Sequence, residues 1–102
     1  MIPDSTIESL RNMADQFKAE NPNAVVVLGT NTDDGQVQFI AAVSDSLIQR
    51  GINAGEIIRS ISALTGGKGG GRPNMAQGGG KDINKAQEAL DAAVKMVREK
   101  LR

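Results

Sequence analysis

Between Gly66 and Gly80 the chain reads GGKGGGRPNMAQGGG, a stretch that holds eight of its twelve glycines. Without a Cβ, glycine lets main-chain N–H groups turn toward a ligand and lets that ligand approach the backbone closely. Lys68 and Arg72 are the charged side chains inside this stretch, and no acid occurs between Arg59 and Lys81. The local field is therefore positive, which suits a phosphate-bearing partner.

The whole chain is formally neutral, but the two signs are unevenly placed. Met1 to Asp45 carries seven acids against Arg11 and Lys18, whereas Ser46 to Arg102 carries ten basic residues against five acids. Such a division points to a polyanion on one side of the molecule. At 102 residues the chain is one domain with a modest core. Phe17 and Phe39 are its only aromatic residues, so the core must be aliphatic and stacking of nucleic-acid bases is limited. With no cysteine and no histidine, the sequence excludes disulfides, Cys or His metal sites, thiol nucleophiles and histidine bases. No apolar run approaches the ~18 residues of a membrane span, and Asp4 and Glu8 stand where a secretory leader would be basic. A soluble, cytoplasmic setting is expected, with no membrane partner.

Periodicity predicts an α/β fold, a small mixed sheet flanked by helices. Ile7, Leu10, Ala14 and Phe17 recur at helical spacing, with Ser5 and Glu8 as a capping box, so residues 1–23 form a long N-terminal helix. Residues 24–102 form the globular part. Ala24 to Leu28 is a continuous apolar run, expected as a central strand covered on both faces. Asn31 to Gly35 supplies a turn into a second strand, Gln36 to Ser44, in which Val37, Phe39, Ala41 and Val43 share one face. Asn53 and Glu56 start a helix with the stripe Ala54, Ile57, Ile58, Ile61 and Leu64, while Arg59, Ser60 and Ser62 lie off it. The glycine stretch follows as a loop, with at most a short edge strand around Asn74 to Gln77, because Pro73 disfavours a central position. Asp82 caps a C-terminal helix whose stripe includes Leu90, Ala93, Val94 and Val97, with Lys95, Arg98, Lys100 and Arg102 near its end.

Two phosphate-binding patterns fail against the glycine stretch. A Walker loop needs Lys and Ser or Thr after its closing glycine, but Gly71 is followed by Arg72 and Pro73. A dinucleotide fingerprint lies between a strand and a helix, whereas Gly66 to Gly71 follow a helix. A flexible linker is a poor description too, since linkers seldom contain Arg-Pro-Asn-Met-Ala-Gln. Met75 and Met96 read as core fillers, and Asp33-Asp34 as turn chemistry rather than a metal site.

The segment from Val43 to Gly80 resembles the DHH-associated domain, in the version found at the C-terminus of alanyl-tRNA synthetases. GGKGGGRPNMAQGGG is similar to that family's signature. Val43-Ser44-Asp45, the Gly51 to Gly55 connection, the Ile-rich helix and the Lys-rich final helix follow in the family's order. The likeness covers nearly the whole chain and is weakest over Met1 to Asn23. It implies an appendage that binds tRNA at the outer corner of the L-shaped molecule and helps couple aminoacylation with editing. Lys68, Arg72 and Lys81 would then contact phosphate and sugar. Gly69, Gly70, Gly71, Gly78, Gly79 and Gly80 would allow close approach, and Gln77 would hydrogen-bond. Arg50 and Arg59 are further candidates. The implied partners are tRNA, tRNA-Ala first, the remainder of the synthetase, and a second copy in a homodimer.

The family's other branch accompanies a metal-dependent phosphodiesterase domain and carries a GGGH pattern. Here Arg72 stands where that branch has His, and the catalytic Asp-His-His segment is missing, as are the synthetase's aminoacylation module and its editing zinc site. The expectation is a binding domain with no catalytic residue, no metal and no cofactor, a piece of a larger ligase or a stand-alone protein. Two alternatives stay open. One is an oligomerisation or protein-interaction module using the end helices, and the other is the substrate-binding part of a DHH-type phosphodiesterase.

Overall fold

The computed structural model describes residues 1–101, so the place expected for Arg102 lies outside the described residues. The first helix, α1 (Ile7–Glu20), is capped by Thr6, whose hydroxyl accepts from the Ser9 N–H at 3.0 Å. The cap falls one residue past the expected Ser5 because Ser5 is already engaged. Its N–H donates to Thr30 Oγ1 at 2.9 Å, and that hydroxyl donates back to the Ser5 carbonyl at 3.3 Å. Leu10 and Ala14 are fully buried, while Phe17 at the end of the stripe remains 47% exposed.

Strands β1 (Val25–Asn31) and β2 (Val37–Val43) form the expected hairpin, and Gly35 supplies its turn at φ 78°. The glycine stretch is a second hairpin rather than a loop, built from β3 (Lys68–Gly71) and β4 (Met75–Gly80). The two hairpins dock through β2 and β4 in the order β1-β2-β4-β3, so the sheet is antiparallel throughout where a mixed one was expected. Pro73 lies in the turn between β3 and β4, outside the ladder it could not serve. Its carbonyl accepts from the Ala54 N–H at 2.9 Å, which ties the hairpin tip to the start of the long helix Ala54–Leu64.

β1 is an edge strand, not the central one its composition suggests. The reason is coverage. α1 packs over one face of β1 and the C-terminal helix over the other, so Val26 and Leu28 join one apolar cluster while Val25 and Val27 pack against a different one. An edge strand covered on both faces reads as apolar as a buried strand.

The short helix α2 (Asp45–Ile48) leads to α3 (Ala54–Leu64), whose N-cap Asn53 accepts from the Glu56 N–H at 3.1 Å as the spacing predicts. A 3-10 turn (Ile83–Lys85) capped by Asp82 precedes α4 (Ala86–Lys100). α3 and α4 cover the face that carries Val37, Phe39, Ala41 and Val43, and with Ile57, Ile58, Ile61, Ala89 and Ala93 they form the main core. α1 covers the opposite face through Ala14, Val26 and Ala42. Two of the expected stripes end differently: Val94 is 50% exposed, and Ser62, placed off the stripe by periodicity, is fully buried.

The burial of Ser62 comes from how closely the glycine hairpin lies on α3. A Cβ at Gly78 would sit 2.5 Å from Ser62 Oγ and 2.7 Å from Gly69 Cα and Ile58 Cγ2. A Cβ at Gly80 would collide with the Thr65 hydroxyl and carbonyl. At these positions the glycines are spacers that let a helix rest on bare main chain.

Removing the α3 cap by Asn53→Ala is expected to destabilise the fold by about 0.5–2 kcal/mol, read as a lower denaturant midpoint at unchanged slope. Gly78→Ala forces a methyl group into the α3 contact and should cost about 1–3 kcal/mol by the same measurement.

Candidate nucleic-acid interface

The helices cover the sheet unequally. α1 packs on β1 and β2 and leaves much of the same face of β3 and β4 bare. Strand alternation decides which residues appear there. Gly69, Gly78 and Gly80 face α3, so Lys68, Gln77 and Gly79 face the open side together with Gln38, which pairs with Gly79.

Two shallow concavities lie along this hairpin. The first, about 420 Å³, has a floor of Gly78, Gly79, Gly80, Gly66 and Gly67, cations at Lys68 and Lys81, and neutral polar groups at Gln36, Gln38, Gln77 and Thr32. The second, about 390 Å³, is lined by Gly70, Gly71, Arg72, Asn74 and Gln77, with Arg11 reaching in from α1. No carboxylate lines either one. Among the described residues the close ion pair is Glu56 with Lys100 at 4.0 Å, so Lys68, Arg72 and Lys81 keep their charge uncompensated at that range.

Of the residues singled out by sequence, Lys68, Gln77, Gly78, Gly79, Gly80 and Lys81 gather at the first concavity, and Gly70, Gly71 and Arg72 at the second. Gly69 lines neither, because it is pressed against Gly78, Ile58 and Ser62. Gln77 is not free: its Oε1 accepts from Arg11 Nη2 at 2.9 Å, which leaves its NH₂ group open. Arg59 reaches the outer strand from α3, where a Cβ at Gly70 would lie 3.7 Å from its Cγ. Arg50 points elsewhere, donating to the Leu101 carbonyl at 3.4 Å.

One expectation changes in kind. The glycines of β4 sit in a central strand, so their N–H and C=O groups are committed to the ladder and cannot turn toward an anion. What this floor offers is close approach, and the main-chain groups left unpaired are those on the outer edge of β3. Charge comes from the rim.

Sequence reasoning missed Arg11, Gln38 and Thr32. Arg11 follows Leu10 and stands four residues after Ile7, on the flank of the α1 stripe, but helix periodicity does not say which strand that flank overlooks. Gln38 occupies an outward position of β2 and would have been found from strand alternation had the partner of β2 been known.

Residues 3–102 match the family model described as the DHHA1 domain. An alanine–tRNA ligase of Geobacillus thermodenitrificans is 49% identical over 85 residues, which is 83% of this chain and 10% of that protein. The alanine–tRNA ligase of Natranaerobius thermophilus is 40% identical over 100 residues, 98% of this chain and 11% of that protein. The chain thus spans about a tenth of the length of these curated relatives. Among solved structures, the C-Ala domain from Aquifex aeolicus alanyl-tRNA synthetase superposes with a TM-score of 0.82 at 33% identity, covering 94% of this chain and 84% of that one. A DHH-domain protein at 17% identity and a TM-score of 0.63 shares the fold alone. The chain belongs to the DHHA1 domain family, in the branch that includes the C-Ala domain of alanyl-tRNA synthetase.

Proposed function

We propose that this chain is a tRNA-docking domain of an alanine–tRNA ligase, and that the open face of the β3–β4 hairpin receives the sugar-phosphate surface of folded RNA. The observation that carries the reading is the glycine floor rimmed by Lys68, Lys81, Arg72 and Arg11 with no carboxylate among its lining residues. A-form RNA displays a wide, shallow minor groove of 2′-hydroxyls, and a low floor edged by cations can lie against it without reading many bases. Gln38 and Thr32 supply amide and hydroxyl groups suited to ribose. Of the two phenylalanines, Phe39 is fully buried and Phe17 alone is exposed, so base stacking is limited, which also favours recognition by shape. The names of the similar proteins fit the same reading, and tRNA-Ala at its outer corner is the first candidate. In the parent ligase, docking here would hold tRNA for aminoacylation and editing carried out by other modules, in a cytoplasmic enzyme.

If about three phosphates are engaged, a plot of log K against log salt should have a slope near −2 to −3. Replacing Lys68 and Arg72 together by Ala should lower that slope by about 1.5 while leaving thermal unfolding nearly unchanged, since both side chains are exposed. Equal affinity of the double variant in filter binding would remove the hairpin from the account.

A second reading rests on a different place. Val94 is half exposed in an apolar groove of about 340 Å³ with Val25, Val27, Leu90, Ala93 and Val97. That groove fits an association surface, for a second copy or for another part of a ligase. The α1 stripe does not serve, because Leu10 and Ala14 are spent on the chain's own sheet. Val94→Glu should then reduce any self-association seen by size exclusion without altering tRNA affinity, and an unaltered chain that elutes as a monomer at all concentrations would set aside the homodimer.

A further inference from the structure

Arg11 belongs to the acid-rich first part of the chain, yet its side chain crosses onto the glycine hairpin. Its Nη2 donates to Gln77 Oε1 at 2.9 Å, in a contact between residues 66 apart in sequence. A guanidinium carries five N–H donors in a rigid plane, so a single bond to Gln77 fixes the group while leaving most donors for a ligand. Gln77 lines both concavities, and Arg11 therefore stands at their junction.

Register adds a second argument. Gln77 pairs with Gly70, which is midway between Lys68 and Arg72 along the same hairpin. At ~3.4 Å per residue, Lys68 starts about 7 Å from Gly70 along the strand, and Arg72 follows directly after the strand's last residue, Gly71. Gly70 lines the same concavity as Arg11 and brings no side chain of its own into it. The arrangement makes a row in which Arg11 occupies the gap between two exposed cations of the hairpin.

We infer that Arg11 is a phosphate-contacting residue of the docking face, and that Gln77 is its positioning residue rather than an independent contact. This rests on the tRNA-docking reading. The row Lys68, Arg11, Arg72 sets the path of the sugar-phosphate chain along the hairpin, across the junction of the two concavities. It also joins the halves of the chain, because the acid-rich part supplies one of the cations on which the site depends.

The test uses the 102-residue chain and a tRNA-Ala transcript, titrated at several salt concentrations beside an unfolding curve for each variant. Arg11→Ala should weaken binding by about five- to eightfold at 0.1 M salt and lower the salt slope by about 0.7–0.9. Arg11→Lys should keep the slope, since the charge remains. Gln77→Ala should also keep the slope but weaken binding by about two- to tenfold, because the guanidinium is no longer held. If Arg11→Ala changes neither affinity nor slope while the Lys68→Ala, Arg72→Ala double variant loses binding, the inference falls and the docking reading stands. If Arg11→Ala lowers the unfolding temperature and affinity at an unchanged slope, Arg11 is a tether between α1 and the sheet, and the inference falls again. Binding that none of these variants affects, or that the unaltered chain lacks, ends both.

Discussion

The contact between α3 and the β3–β4 hairpin is the constraint on which the other features depend. Helices usually rest on sheets through interleaved side chains, whereas here Ile58 and Ser62 meet the main chain of Gly69 and Gly78 directly. Under this helix β4 pairs with β2 on one side and β3 on the other, and the four strands make one sheet. The arrangement has a visible cost. Ser62 Oγ is buried beside Gly69 and Gly78 with no hydrogen-bond partner among the described residues.

Unequal coverage then makes the site. α3 and α4 together span one face, but α1 is a single helix and occupies the β1–β2 half of the other. The charge division seen along the sequence becomes a division in space. α1, β1 and β2 come from the acid-rich part, while α3, the glycine hairpin and α4 come from the basic part, and Arg11 with Gln77 bridges the seam. The formally neutral chain can thus present a cationic strip because its acids are placed elsewhere.

Much of the architecture was legible from local chemistry. The Asn53 cap, the turn at Gly35, the alternation of Val37, Phe39, Ala41 and Val43 and the stripe of α3 each follow from residue types a few positions apart, and each is found. What failed depended on who lies next to whom. Strand β1 looked central because two helices cover it, a fact that no window of its own sequence contains. The hairpin looked like a loop because glycine carries no β pattern: pairing with β2, which supplies the missing partner, lies more than thirty residues upstream. Of the candidate site, the residue types were readable but their allegiance was not. Gly69 and Gly79 are two of a kind in sequence, yet one is spent on α3 and the other floors an open concavity.

A floor made of main chain has a lasting implication for how such a surface can change. Every substitution on it adds bulk, and at Gly67, Gly79 or Gly80 a methyl group would strike a neighbouring backbone or hydroxyl. There is nothing there to exchange for something similar. Under the proposed docking, a change in the preferred nucleic acid would come from the border residues, with affinity and selectivity retuned at Lys68, Arg72, Lys81 and Gln38 while the platform beneath them stays the same.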